Sequence, residues 1–405
     1  MSKEQMNVPK LRFPEFTGEW EKRKFANIAQ RQSETIVSDD ENPCVEYEDV
    51  VAERGVLNKD IYAKGVYKNG IKFTSEDVLY GKLRPYLHNW LNPYFSGVAV
   101  GDWWVLRPVN TDKDFLYWMI QTPKYDNVAN QSAGTKMPRA DWKLVSNLEF
   151  HVPISRTEQK TIADILTNFD TLITLQHRKL DQIKEYKKGM LQKMFPKEGE
   201  SVPEVRFPGF TGEWERRKLG DVLEDLYNGQ TPSRVQTSYW NGDINWLTSG
   251  ELNRGIVYTC IERITKKGQE SAHLKIIPRG TFVMAITGLE ASGTRGNCAI
   301  LGIDTTLNQS CMALMPDPSL LSTRFLFQWY KMVGEEYGTR FTQGTKQQSY
   351  NAEIIKSLDI VLPSVKEQEQ ISDVLVNLDN LISLHQRKLD AMKEYKKGLL
   401  QQMFV

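Results

Sequence analysis

The sequence predicts an α+β fold laid out in tandem: an extended lead-in, a mixed α/β body and a long helix, each occurring twice. Three observations carry this. Glu158 to Phe195 (EQKTIADILTNFDTLITLQHRKLDQIKEYKKGMLQKMF) aligns without a gap to Glu367 to Phe404 (EQEQISDVLVNLDNLISLHQRKLDAMKEYKKGLLQQMF), with 24 identities in 38 positions. Val8 to Ile28 (VPKLRFPEFTGEWEKRKFANI) matches Val202 to Val222 (VPEVRFPGFTGEWERRKLGDV) at 13 of 21 positions. The stretches between these repeats diverge in sequence but keep one order of short strand-like runs followed by a helix. A period of about 200 residues is too long for a solenoid unit and indicates domain duplication.

The resulting division is a lead-in over 1–20, a first body over 21–155 and a long helix over 156–195. A linker and second lead-in occupy 196–215, a second body 216–364 and a second long helix 365–405. Pro9, Pro14 and Gly18, with Pro203, Pro208 and Gly212, make the lead-ins extended and turn-containing. Phe13, Phe16 and Trp20 are their expected anchors.

In the first long helix, apolar residues recur in steps of three and four at Ile162, Ile165, Phe169 and Leu172, then at Leu180, Ile183, Met190 and Met194. The second repeats the pattern at Ile371, Val374, Leu378 and Leu381, then at Leu389, Met392, Leu399 and Met403. This is the period of an amphipathic helix seeking a partner, and the duplication points to an intramolecular pair. Gln176 and His385 break the stripe at the same place, a four-then-four step that would locally unwind a supercoil. A straight helix of this length spans about 57 Å. The basic residues Arg178, Lys179, Lys184, Lys187, Lys188, Lys193 and Lys197 crowd its end. They read either as a solvated face completed by i,i+4 pairs or as a docking surface for an acidic partner or phosphates.

In the first body, strand-like runs are expected at Val78–Tyr80, Val98–Val100 and Trp103–Leu106, with one of Trp103 and Trp104 buried, and a helix from Asp114 to about Gln121. In the second they are expected at Ile276–Ile277, Thr281–Thr287 and Cys311–Met315, with a helix near Ser322 to Val333. Both bodies close with Gly-Thr-Lys (from Gly134 and Gly344), a polar or aromatic segment and an exit strand.

With 52 Lys plus Arg against 51 Asp plus Glu, net charge points to no class of partner, so any nucleic-acid binding must come from local patches. Four scattered cysteines fit neither a disulfide framework nor a zinc site, and suit a reducing compartment. No signal-peptide-like or membrane-length apolar run is present, so a soluble cytoplasmic protein is expected.

Fragments that imitate catalytic motifs fail on inspection. Asn92-Pro93-Tyr94-Phe95 lacks the second proline of an amino-methyltransferase turn. Gly288 to Arg295 has the outer glycine spacing of a phosphate loop but not its lysine. Glu185-Tyr186-Lys187 recurs as Glu394-Tyr395-Lys396 inside the helices, where surface pairing accounts for it. The five histidines have no ligand spacing, and no Ser or Cys carries a nucleophile signature, so no catalytic or metal residue is assigned.

The bodies do concentrate basic, polar and aromatic residues in turn regions, a combination suited to base edges and phosphates. The candidate DNA-binding residues of the first body are Lys82, Arg84, Tyr86, Lys136, Arg139 and Trp142. Those of the second are Arg234, Tyr239, Trp240, Thr248, Ser249, Arg295, Lys346, Gln347, Gln348 and Tyr350.

Taken together, the doubled RFPxFTGEWE and its RK tail, the doubled RKLD and KEYKKG, DVLYGKLRPYL (Asp77 to Leu87), and TPSR, YWNGDINWLTSGEL and TTLNQSCMAL resemble one family over essentially the whole chain. It is the specificity (S) subunit of Type I DNA restriction–modification systems. The resemblance implies two target recognition domains, each reading half of a split, asymmetric DNA site. Between them, two long helices would form an antiparallel coiled coil with pseudo-two-fold symmetry and act as a spacer. It also implies a non-catalytic chain that assembles with two modification subunits and with restriction subunits. S-adenosylmethionine, ATP and Mg would belong to those partners, and double-stranded DNA would be the ligand. The alternative reading is a coiled-coil adaptor whose bodies bind proteins.

Overall fold

A computed structural model describes residues 7–131, 136–291, 293–341 and 348–405. The chain divides into two units, Met1–Arg178 with Gln386–Val405, and Lys179–His385. Each unit therefore takes a body, part of the helix that follows it and part of the other long helix.

In the first unit the lead-in strand Glu21–Lys24 pairs antiparallel with the exit strand Glu149–Val152. The central sheet runs Ala29–Arg31, Trp103–Pro108, Val78–Gly81, Trp90–Leu91. A second sheet runs Thr35–Val37, Asn69–Phe73, Gly97–Ala99, Cys44–Val45. Because side chains alternate along a strand, the central sheet feeds two cores. Leu79, Leu91, Trp103 and Val105 pack with Val45, Phe73 and Ala99 of the second sheet. Val78, Tyr80, Trp104 and Leu106 pack with Phe115 and Leu116 of the helix Lys113–Met119, and with long-helix residues. Trp103 and Trp104 are consequently both buried, not one of the two as alternation against a single core suggests.

The second unit repeats this plan. Glu215–Lys218 pairs with Asp359–Leu362. A five-stranded sheet runs Leu223–Asn228, Cys311–Pro316, Phe282–Ala285, Cys298–Leu301, Ile256–Val257. A three-stranded sheet runs Glu262–Ile264, Trp240–Leu247, Thr306–Leu307. Val283, Ala285, Cys311 and Ala313 face one core, while Phe282, Met284, Met312 and Leu314 face the other with the helix Thr323–Arg340.

The repeated residues build a repeated joint. Gly18 and Gly212 hold φ of +85° and +84°, a conformation that favours glycine, and their carbonyls accept from Arg12 Nη1 and Arg206 Nη1. Each arginine also forks onto a buried carboxylate at the start of the following long helix, Glu158 or Glu367. The adjacent glutamine completes the joint. Gln159 Oε1 accepts the Asp112 backbone N–H at 2.7 Å, and Gln368 Oε1 accepts that of Ser322 at 2.8 Å. Asp112 and Ser322 are the N-terminal caps of the body helices, so one side chain satisfies a backbone donor at the start of each.

The long helices are Arg156–Met194 and Val365–Met403. Their inward positions are Ile162, Leu166, Phe169, Ile173, Gln176, Leu180, Ile183, Lys187, Met190 and Met194, all buried or half-buried. The second helix has the same spacing at Ile371, Leu375, Leu378, Ile382, His385, Leu389, Met392, Lys396, Leu399 and Met403. This regular four-and-three alternation corrects the phase read from the sequence. Leu172 and Leu381 are exposed, at 52% and 38%, and Ile173 and Ile382 take their places. Ile165 and Val374 flank the stripe, and the fully buried Leu166 and Leu375 occupy it. Gln176 and His385 sit on the stripe, so the interruption expected there is absent and the spacing runs through.

Within the first unit, Phe169 packs on Tyr395 and Lys396 Nζ donates to Asp170 at 2.6 Å, while Ile162 and Leu166 share a core with Leu399 and Met403. Within the second, Lys187 Nζ donates to Asp379 at 2.5 Å, and Met194 shares a core with Ile371 and Leu375. In each unit residue numbers rise along one helix as they fall along the other, so the two segments are antiparallel.

Candidate nucleic-acid interface

Each body carries one paired loop in the same place. In the first unit the loop leaving Val78–Gly81 lies beside the segment returning to the exit strand. Arg84 N–H donates to Pro138 O at 2.7 Å, Ala140 N–H donates to Lys82 O at 2.8 Å, and Leu83 bridges Arg139. In the second, the loop leaving Phe282–Ala285 meets the equivalent return. Tyr350 N–H donates to Ile286 O at 2.8 Å, Leu289 N–H donates to Gln348 O at 3.1 Å, and Thr287 bridges Ser349.

This arrangement brings Lys82, Arg84 and Arg139 together, with Tyr86 and Lys136 two residues along the chain from the paired backbone. Arg84 adopts φ +48°, uncommon for a residue with a side chain, and is pinned there by its bond to Pro138. Arg84, Tyr86 and Lys136 are exposed. Arg139 forks onto Asp102 at 3.0 and 3.1 Å, and Lys82 Nζ lies 3.7 Å from the same carboxylate. Hydrogen bonds from Arg139 hold the Asp102 carboxyl below its ordinary range. Trp142 has a different place: it packs edge-on against Trp104 and Phe25, with Arg31 over its ring.

The second body's candidates fall into separate groups. Arg295 donates to the carbonyls of Leu289 and Glu290, which holds the turn at those residues. Gln348 is half-buried beside that turn, and Tyr350 is buried in the core, where burial raises its hydroxyl pKa. Lys346 and Gln347 lie outside the described residues. Arg234 stacks 3.7 Å from the Trp240 ring centroid and 4.9 Å from that of Trp246, and pairs with Glu262. Tyr239, half-buried, lines the neighbouring concavity with Gln230, Thr231 and Ser233. Thr248 is committed to a capping box, with Glu251 accepting from both its N–H and its hydroxyl, and Ser249 is half-buried next to it. Sequence chemistry thus located polar and aromatic side chains but could not separate those that cap or pack from those that face solvent.

The Glu46, Glu48 and Asp49 carboxylates stand close together. Lys64 Nζ lies 2.9 Å from Glu46 and 2.6 Å from Asp49, and Lys59 lies 2.8 Å from Asp49, so lysines compensate the buried charge. Among the described residues no helix is long and apolar enough to cross a membrane.

Two of the curated relatives are Type I restriction enzyme specificity subunits of Methanocaldococcus jannaschii. MjaIX is 27% identical over 197 residues, 48% of this chain and 44% of that protein. MjaVIII is 23% identical over 298 residues, 71% of this chain and 68% of that protein. The chain thus spans less than half the length of the first and about two thirds of the second. The fold is similar to that of a Type-I restriction-modification system S subunit from M. genitalium, with a TM-score of 0.62 at 13% identity, covering 98% of this chain and 99% of that one. Residues 17–185 and 211–394 each match the Type I restriction modification DNA specificity domain. Those two stretches make up most of the sequence, and the chain belongs to that family.

Proposed function

We propose that this chain is the sequence-specific DNA-binding subunit of a Type I restriction–modification complex, and is not itself catalytic. One observation favours this over a protein-binding adaptor: the two bodies present the same paired loop on the same frame, but with different side chains. A cationic, left-handed Arg84 loop stands in one, and an Arg295-organised turn in the other. Such a pair suits the reading of two unlike half-sites, where backbone-contacting cations position the protein and base-edge contacts specify.

In this reading residues 21–155 and 216–364 are the two target recognition domains. The helix stripes form a coiled coil with pseudo-two-fold symmetry that sets the gap between half-sites. The repeated outward helix faces receive two modification subunits. Those subunits, and the restriction subunits with them, would bind S-adenosylmethionine, ATP and Mg in the cytoplasm.

The test is a chimera in which 21–155 is replaced by the corresponding body of a relative, co-expressed with the modification subunit and mapped by long-read methylation sequencing. One half of the methylated target changes and the other stays. Alteration of both halves would remove the assignment. Adding one heptad to each long helix lengthens the gap and leaves both half-site sequences as they were.

A further inference from the structure

In the first unit a cavity of about 660 Å³ opens between the turn at Glu53 and Arg54, the stretch carrying His88 and Trp90, and both long helices. That volume falls in the range of small-molecule sites, about 300–1,000 Å³. Its apolar surface comes from Trp90, Pro123, Ile173 and Leu400.

The charges around it do not balance locally. All three lining carboxylates have partners. Asp170 takes Lys396 at 2.6 Å, Asp126 takes His88 Nε2 at 3.1 Å and Asn130 Nδ2 at 2.8 Å, and Glu53 lies 3.6 Å from His88 Nδ1. Three lining cations, Arg54, Lys393 and Lys397, have no ion pair among the described residues. Charge left over beside an apolar wall is therefore positive.

The second unit has the same helix chemistry at Lys184, Lys188 and Leu191 but a different wall. Lys331 stands at the position corresponding to Gln121, and it is bonded to Asp379. His88 and Trp90 belong to the part of the bodies that diverges.

The geometry points to a site in the first unit for one anionic small molecule with a flat apolar portion. Lys393, Lys397 and Arg54 meet its charge, and Trp90 and Leu400 receive its ring. The site is independent of the paired loops and of the DNA reading.

The full chain is titrated with 8-anilinonaphthalene-1-sulfonate, followed by fluorescence and calorimetry. The expected result is one saturable site per chain, weakened at least about tenfold both by Lys393→Gln with Lys397→Gln and by the cavity-filling Thr174→Trp. The matching pair Lys184→Gln with Lys188→Gln leaves it unchanged. Should Thr174→Trp fail to fold, the exposed lysine pair carries the test, with its unfolding midpoint as the control. Absence of saturable binding, or equal loss in the two lysine pairs, overturns the proposal. So does displacement of the probe by duplex DNA but not by naphthalene sulfonate, which would assign the lysines to a nucleic-acid backbone.

Discussion

Arg12 forks onto the buried carboxylate of Glu158, Nε to Oε1 at 2.7 Å and Nη2 to Oε2 at 2.9 Å, with Trp20 Nε1 donating to the same group at 3.0 Å. The arginine fastens the lead-in to the start of a helix more than a hundred residues later. Arg12→Met leaves a buried carboxylate without its cation, at a cost of about 3 kcal/mol. Adding Glu158→Leu recovers part of that loss, because the stranded charge goes with it. A double-mutant cycle on the urea-unfolding transition measures the recovery, and equal losses in the single and double variants would exclude a stranded charge.

The phase of the helix stripe makes a second prediction. Ile173 is 7% exposed and Leu172 is 52% exposed. Ile173→Ala destabilises by about 2–3 kcal/mol, while Leu172→Ala stays within about 0.5 kcal/mol of the parent. Comparable unfolding midpoints for the two variants would contradict the placement.

The second unit sets one buried lysine and one half-buried lysine against a single aspartate. Lys187 and Lys331 both donate to Asp379, and Gln328 adds a fourth group at 3.1 Å. Burial, with Lys331 nearby, pushes the Lys187 ammonium down to about 8 from an ordinary 10.5. Burial works against the Asp379 carboxylate, but the two lysines outweigh it and hold its pKa low. Between pH 8 and 10.5 the unfolded chain binds the lysine proton more readily than the folded one, so stability rises through that window. Lys331→Gln, which installs the residue found at the corresponding Gln121, raises the Lys187 pKa and flattens the rise. Unfolding midpoints of parent and variant, taken across the window, show whether the slopes differ.

His88 gives the opposite sign. Its hydrogen bond with Asp126 outweighs partial burial and lifts the imidazole above its ordinary 6.5. The stability it contributes is fully present below 6.5 and is lost as pH rises through the higher folded value. His88→Gln therefore lowers the unfolding midpoint in acid and matches the parent in mild alkali. A constant difference across that range would count against the charged pair.

Much of the architecture was legible because it is written twice. Repeated RFPxFTGEW and Glu-Gln starts mark the joint that Arg12, Glu158 and Gln159 form, and the body helices and several strands lie close to where their patterns put them. What failed was phase and commitment. Leu172 and Ile173 are adjacent and both apolar, and Gln176 and Lys187 hide the inward stripe behind polar names. Trp103 and Trp104 are both buried because their sheet is covered on both faces, which a local pattern does not reveal. At the candidate interface, Thr248, Trp142 and Tyr350 have the side chains of contact residues, yet one caps a turn and two pack. That distinction depends on partners distant in sequence, such as Phe25 for Trp142 and the Ile286 carbonyl for the Tyr350 backbone.

The way the units borrow helix segments also bears on the order of assembly during synthesis. The second unit is one uninterrupted stretch, Lys179–His385, and has all its core residues once that stretch has left the ribosome. The first unit, although translated earlier, draws Leu399, Leu400 and Met403 into its core from the final helix. Its hydrophobic surface stays incomplete until those residues arrive. The usual order, in which the N-terminal domain folds first, is therefore expected to reverse, with the body made first the last to close.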